Sequence, residues 1–394
     1  MADFHHGVTS KETSGGARAI RSIASNVIAF VGTAPDADSD AFPLNEPILI
    51  TDIASIIEKA GDEANSSITR TLKVIDSLVR APVIVVRVEE STDPDATAAQ
   101  LETEANIIGG VVAGKKTGLQ ALLVAEQRFG LRPRIIGCPD LDTQPVTNAM
   151  INIAKKLNAF VYAYCTGCED KEAATLYRDE FAARELMLLW PQWEHPYATG
   201  KGPMSPVPYA LALRALLDNT VGFHKTLSNV AFAGPVGIDG DVSFDLLDPE
   251  TDAGFLNASE VTTLIRFNGY RFWGNRTTSD DPQFAFENYT RTAQILKETM
   301  AMGQFWAMDK GLHPSLAKDI IEGINNKLRE YIREGQLIGG QCWFEESLNP
   351  SDQLIQGKLV LKYNYTPVPP LENLGLIQEF TDTYLLDFAA QMAG

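Results

Sequence analysis

From Asn26 to about Asp252, short β-branched and aliphatic runs alternate with segments of helical periodicity, and this alternation restricts the possible folds more than any other feature of the chain. Val27–Val31 and Ile48-Leu49-Ile50 predict strands. The second runs into Thr51-Asp52, good N-cap residues for a helix over Ile53–Ala60 that stops at Gly61. Ile68, Leu72, Ile75 and Val79 recur at helical spacing and predict a helix over Ser66–Arg80. Pro82–Val88 is a β-branched run of the kind buried on both faces of a sheet. Arg134–Gly137, Phe160–Tyr164 and Leu186–Leu189 predict further strands, each preceded by a helical stretch. Strands separated by helices imply an α/β unit with a largely parallel sheet. The Pro- and Gly-rich Trp190–Pro208 reads as a long surface excursion.

The last third changes character. Phe286, Tyr289, Ala293, Leu296 and Met300 mark one amphipathic helix. Leu316, Ile320, Ile324, Leu328 and Tyr331 mark another, opened by Pro314-Ser315 and ended by Gly335. Lys358–Thr366 alternates, with Leu359, Leu361, Tyr363 and Tyr365 on one side and Lys358, Lys362 and Asn364 on the other, as a half-buried antiparallel strand does. Pro367-Val368-Pro369-Pro370 breaks it, and Leu371–Gly394 follows as an extended segment with a short helix. At the other end, Gly7–Thr13 has weak strand alternation and is followed by Ser14-Gly15-Gly16. It carries too few large apolar side chains to anchor a core, which leaves a frayed terminus or a strand that pairs elsewhere.

A chain of 394 residues exceeds one comfortable core, so two folded units are expected. A net charge of −18 argues against nucleic-acid binding, which needs Lys and Arg to neutralise phosphates, and against adsorption to an anionic membrane. It suits a protein that stays soluble at high concentration until it assembles. No run approaches the ~20 apolar residues of a membrane span. Met1–Gly7 lacks the apolar core of a signal peptide, and four cysteines make no disulfide framework, so folding in a reducing cytoplasm is expected.

Several motifs approach known chemistry and fall short. Gly109–Lys116 has the Gly-x4-Gly-Lys spacing of a phosphate loop, but Lys116 stands where the Mg²⁺-binding Ser or Thr belongs, and a helical stretch precedes it instead of a strand. Cys165-Thr166-Gly167-Cys168 has the spacing of a redox or zinc pair, yet neither Cys138 nor Cys342 brings a second ligand pair. Asp36-x-Asp38-x-Asp40 begins like a calcium loop, but Ala41 replaces the turn glycine and Pro47 the bidentate Glu. His5, His6, His195, His224 and His313 show no ligand spacing. No catalytic, metal or cofactor-binding residue is assigned and no cofactor is expected.

Other residues carry a resemblance. Gly269-Tyr270-Arg271-Phe272-Trp273-Gly274-Asn275-Arg276-Thr277, followed by Ser279-Asp280, resembles a signature of contractile phage tail sheath proteins. Phe305-Trp306-Ala307-Met308-Asp309-Lys310 and Thr366–Asn373 resemble later segments of that family, and Phe4–Val8 with Gly16-Ala17-Arg18 its opening. The matches run in family order along the whole chain, nearest to sheaths of temperate myophages and more distantly to R-type pyocin sheaths. Taken alone, Tyr270, Phe272 and Trp273 would be ordinary core aromatics.

The resemblance implies a structural subunit and not an enzyme: an α/β outer domain (23–255) plus an α+β inner domain (256–370) whose mixed sheet is completed by strands donated from neighbouring subunits. The strands would come from an N-terminal arm (1–22) and a C-terminal arm (371–394). Gly7, Val8, Thr9 and Lys11, with Leu374, Leu376, Ile377 and Phe380, would then be the self-assembly residues, and Gly15, Gly16, Pro367, Pro369 and Pro370 the hinges. The partners implied are other copies in stacked hexameric rings, the tail tube protein, and baseplate and tail-terminator proteins, with no nucleic acid and no membrane. The place implied is the virion tail, assembled in the host cytoplasm. Lys318, Asn325, Arg329 and Arg333 lie opposite the apolar stripe of the 315–334 helix and are candidate tube contacts, or else a solvated helix face. The alternatives are a pyocin-like bacteriocin sheath, or a cytoplasmic α/β nucleotide-binding enzyme using Gly109–Thr117.

Overall fold

A computed structural model describes residues 20–194 and 203–382, with positions 385, 388, 391 and 392. Eight strands form its main sheet: β1 (Ile28–Thr33), β2 (Pro47–Ile50), β3 (Val83–Val88), β4 (Ile135–Gly137), β5 (Phe160–Tyr164), β6 (Leu186–Leu189), β7 (Val261–Arg266) and β8 (Tyr270–Trp273). The spatial order is β8-β7-β6-β5-β4-β1-β3-β2. The six inner strands are parallel, and the edge strands β2 and β8 run antiparallel to their neighbours. β1 and β3 are buried at every position, as strands covered on both faces by crossover helices must be.

Helices α1 (Ser67–Leu78), α2 (Ala96–Ile108), α3 (Gln144–Leu157) and α4 (Val207–Thr220) cover the two faces. Ile68, Leu72 and Ile75 of α1 join Leu211 and Leu213 of α4 against Phe30, Val85 and Tyr162. Ile107 of α2 joins Met150 and Ile153 of α3 against Val31, Val86 and Val161 on the other side. Ser66 caps α1 by accepting the Thr69 N–H at 3.0 Å, and Asp95 caps α2.

Four expectations need correction. The helix expected over Ile53–Ala60 is one 3₁₀ turn, Ile57–Lys59, and it ends where the Ala60 carbonyl is taken by the Ser66 and Thr69 hydroxyls at 2.8 and 2.9 Å. Trp190–Pro208 is no surface excursion where it is described. Gln192–Glu194 pairs with Gly237–Asp239, and Trp193 is fully buried in a ring cluster with Tyr209, Phe232, Tyr270 and Phe272. The boundary expected at 255/256 is crossed by the sheet, since β7 and β8 complete it, so the architecture changes only after Trp273. Finally, the stretch assigned to the N-terminal arm is part of a core from Ile20 onward: Ile20 is buried with Phe223, Leu296 and Met300.

A doubly wound sheet offers a ligand crevice where strand order reverses, here between β1 and β4. In this chain that place is filled. A Cβ on Gly32 would stand 2.8 Å from the Ile68 side chain, and the Thr33 N–H donates to Ser67 Oγ at 2.9 Å. Arg70 pairs with Asp140 at 2.8 Å across the opening. The Gly109–Lys116 segment is a surface hairpin, Val111-Val112 against Lys115-Lys116, and not a loop between strand and helix. Asp38 spends its carboxylate on the N–H groups of Asp40 and Ala41, which lowers its pKa and makes the calcium-like segment a self-bonded turn. Burial pushes the Cys168 thiol up to about 11 and those of Cys138 and Cys165 further.

Beside the switch point, Asp142 is buried with one oxygen accepting the Tyr164 N–H at 2.6 Å and the other without a hydrogen-bond partner. Burial dominates and raises its pKa to about 7, against the Tyr164 bond that lowers it. The folded state therefore holds this proton more tightly than the unfolded chain. Its stabilising contribution is complete below about pH 4 and is lost as pH rises through 7. Asp142→Asn is expected to abolish that loss, on the order of a few kcal/mol, and leave the acid side little changed. Urea midpoints between pH 4 and 8 check it; identical slopes for both chains would refute it.

Candidate functional site

The last third builds a second core on two helices and a two-stranded sheet. Helix α5 (Glu287–Gly303) and helix α6 (Pro314–Arg333) meet through Ile295, Leu296 and Met300 against Ile320, Ile324 and Leu328. Strand β9 (Leu337–Phe344) pairs antiparallel with β10 (Leu361–Pro367), and Leu337 and Cys342 face the same core. The alternation expected for 358–366 is there: Leu361, Tyr363 and Tyr365 are half-buried, while Lys362 and Asn364 are exposed.

Helix α5 joins the two units. Its apolar stripe faces the second core, and its polar stripe is not solvated. Glu287, Arg291, Gln294 and Glu298 fall on one side of the helix, and all are buried against the main sheet unit. Glu287 Oε1 accepts the Tyr162 hydroxyl and, at 3.2 Å, Arg214, while its other oxygen accepts the Leu227 N–H at 3.0 Å. Arg214 also donates to Asp218 at 2.8 Å, and Asp218 pairs with Arg291. Burial works against the Arg214 charge, but Asp218 and Glu287 more than offset it and hold the guanidinium protonated. Burial and the Glu287 charge push the Tyr162 hydroxyl upward as well. At the far end Glu298 takes Arg132 at 2.7 Å and Arg134. The amphipathic pattern disclosed the apolar stripe alone; i, i+4 charges on the other side read as surface.

Among the described residues, no strand pairs with the outer edges of β9 and β10. Such edges invite further strands, and two strands alone make a marginal sheet. Beyond them the chain runs out as residues 371–382, exposed throughout and with no secondary structure, Ile377 and Phe380 at 99% and 93% exposure. Leu374, Leu376 and Phe380 share one side of an extended chain by their even spacing. Among the described residues, the chain thus presents at one end two sheet edges with no paired strand and an exposed segment rich in apolar side chains.

The expected hinge is only partly where the prolines put it. Pro367 is the last residue of β10, paired with Leu337, and the Val368 carbonyl accepts Asn288 Nδ2 at 2.8 Å, which ties it to α5. From Pro369 onward the described chain has no secondary structure through 382. A cleft of about 1360 Å³ separates the following residues from the loop Phe244–Pro249, and Arg276 bridges it with two bonds to Glu372, at 2.9 and 2.8 Å. Gly7, Val8, Thr9, Lys11, Gly15 and Gly16 lie outside the described residues.

Of the four candidate tube contacts, Lys318, Arg329 and Arg333 are exposed on one side of α6. Asn325 is not with them. Its side chain bonds both the carbonyl and the N–H of Cys342, at 2.9 and 2.7 Å, and fixes β9 to the helix. The exposed face is also less basic than expected, because Glu322 lies within it and pairs with Arg329 at 2.9 Å. Among the described residues, no helix is long and apolar enough to cross a membrane, and no group of three or more His, Cys, Asp or Glu is placed to hold a metal ion.

Comparison with known proteins bears directly on this arrangement. Residues 114–278 match the family described as phage tail sheath protein central domain, and residues 279–381 that described as phage tail sheath C-terminal domain. The tail sheath protein of Escherichia phage P2 is 44% identical over 100% of this chain and 99% of its own length. The major tail sheath protein of Serratia phage KSP20 is 48% identical over 100% and 99%. A solved sheath complex of an extracellular contractile injection system, in the contracted state, superposes with a TM-score of 0.70 at 14% identity, covering 97% of this chain and 98% of that one.

Proposed function

The chain belongs to the phage tail sheath family, and from that premise we propose that it polymerises as stacked hexameric rings around a tail tube in a metastable extended state, then contracts to drive the tube through the host envelope for genome delivery. Its relatives are structural tail sheath proteins and not enzymes. The observation that carries the polymer reading is the pair of edges on β9 and β10, without strand partners among the described residues, beside the exposed segment 371–382. Adding a neighbour's arm to such an edge supplies main-chain hydrogen bonds for affinity and side-chain pockets for register. Val8–Thr13 of one copy and Leu374–Phe380 of another are the donated strands in this reading. Gly15, Gly16, Pro369 and Pro370 are the hinges, and the Arg276–Glu372 pair sets the direction in which the C-terminal arm leaves.

Contraction then slides subunits as rigid bodies while the arms stay paired. The energy comes from a difference in interface between two polymer states, held apart by a kinetic barrier. The charged network on α5 suits that role, since it locks two cores into one body. The partners proposed are further copies, the tail tube protein, and baseplate and tail-terminator proteins. The place is the virion tail after assembly in the host cytoplasm. A pyocin-like particle would use the same device; the higher identity to the P2 and KSP20 phage proteins favours the phage.

Electron microscopy of the purified full chain tests the reading: hollow helical tubes should form without nucleotide, and a chain that stays monomeric at every concentration would refute it. Lys318, Arg329 and Arg333 are the proposed tube contact. Lys318→Glu with Arg329→Glu should weaken pull-down of the tube protein more than self-polymerisation, and unchanged tube capture would reassign that face.

A further inference from the structure

The hairpin at 111–116 contributes no side chain to the chain's own cores. Its turn residues, Ala113 and Gly114, both have positive φ, 48° and 79°, the arrangement that suits a two-residue hairpin. Its base can only be glycine: a Cβ on Gly109 would stand 2.0 Å from the Thr117 carbonyl oxygen, and one on Gly118 2.4 Å from that of Ile107. The Gly110 N–H donates to Thr117 Oγ1 at 2.9 Å, and the Gly118 N–H to Asn45 Oδ1 at 3.0 Å. Gly109 of the phosphate-loop imitation and Gly118 just beyond it therefore clamp a projecting knob. On it Val111 and Val112 are 68% and 63% exposed. Lys115 reaches Glu46 at 3.2 Å, but Arg128 already pairs with that carboxylate at 2.9 Å, and Lys116 adds a further positive charge.

A complementary surface lies elsewhere on the same chain. The loop 241–250 carries Leu246 and Leu247, 63% and 94% exposed, among Asp241, Asp245, Asp248 and Glu250. No Lys, Arg or His occurs between Lys225 and Arg266 in sequence, and the cations Lys225 and Arg276 line the cleft on its inner side. Phe244 holds the loop beside edge strand β8, its ring 5.0 Å from that of Trp273. The hairpin is held beside the other edge strand, β2, by Glu46, which directly precedes Pro47. Eight strands at a spacing of ~4.8 Å put these edges roughly 34 Å apart, so the two surfaces cannot meet within one chain.

We propose that the basic and apolar hairpin 111–116 of one subunit docks on the acidic and apolar loop 241–250 of a second copy. Two different patches on identical subunits make a heterologous contact, which propagates into an open helix when its rotation does not close. The inference rests on the polymer reading and adds to it a contact independent of the arms. It should weaken as salt rises.

The test uses the full chain and charge reversal on each face. Lys115→Glu with Lys116→Glu, and separately Asp241→Lys with Glu250→Lys, should each lower the sedimenting polymer at low salt by about tenfold or more, with melting temperatures unchanged. The second pair spares Asp245 and Asp248, whose carboxylates accept the Leu247 and Glu250 N–H groups and shape the loop. Both reversals in one chain should restore polymer. As a second measurement, Val112→Cys with Leu247→Cys should give a ladder of covalent multimers on oxidation, where Val112→Cys alone stops at dimers. Normal polymer from either reversed chain, or a combined variant no better than each, overturns this contact and leaves the polymer reading standing. A wild-type chain that forms no tubes overturns both.

Discussion

A chain ending at Asn373 is expected to fold as a soluble monomer and to form no tubes. Leu374, Leu376, Ile377 and Phe380 are exposed in the isolated subunit, so removing them takes nothing from either core, and unfolding stability should change by less than ~1 kcal/mol. In a polymer the same side chains would be buried by a neighbour. At ~1.5 kcal/mol or more for each, their loss removes roughly 6 kcal/mol from every connection before any main-chain bond is counted. Every ~1.4 kcal/mol is tenfold in affinity, so association should fall by about four orders of magnitude. The defect should be absolute, because every subunit depends on the same donated segment. Removing Met1–Thr13 should act in the same way on the other arm. Circular dichroism and denaturant unfolding check the fold, and sedimentation with negative-stain microscopy checks assembly. Long tubes from the shortened chain would refute arm exchange.

Glu287→Ala should cost about 3–5 kcal/mol, a large share of the ~5–15 kcal/mol that a domain possesses. The buried cluster is balanced as it stands, Arg214 and Arg291 against Asp218 and Glu287. Removing one carboxylate leaves a guanidinium excess with no water to solvate it, and strips partners from the Tyr162 hydroxyl and the Leu227 N–H. Because Glu287 opens the helix shared by both cores, the loss should also loosen their joint. Early exposure of the second core by hydrogen exchange would then precede global unfolding. Urea titration gives the energy; a cost below about 1 kcal/mol would show that the cluster holds no such joint. Glu287→Gln keeps an acceptor for Tyr162 and should fall between the two chains.

Sequence alone was enough for elements whose reason is local. β5 and β6 are continuous apolar runs that only a doubly covered sheet can hold, and β3 is one but for Arg87; α1 and α6 show an unbroken helical stripe, and β10 alternates with the period of a half-buried strand. The order of its motifs likewise placed the chain among tail sheath proteins. What depended on distant residues was not legible. Nothing in Val261–Trp273 says that it completes a sheet begun at Ile28, because strand partners are chosen by the remaining open edge and not by local composition. Asn325 has the pattern of a surface residue, and only the approach of β9 turns it inward to bond Cys342. The charges of α5 follow the spacing of a solvated face. Tertiary structure buries them, since each acid meets an arginine from a segment far away in sequence, and a buried charge is tolerable only where such a partner arrives.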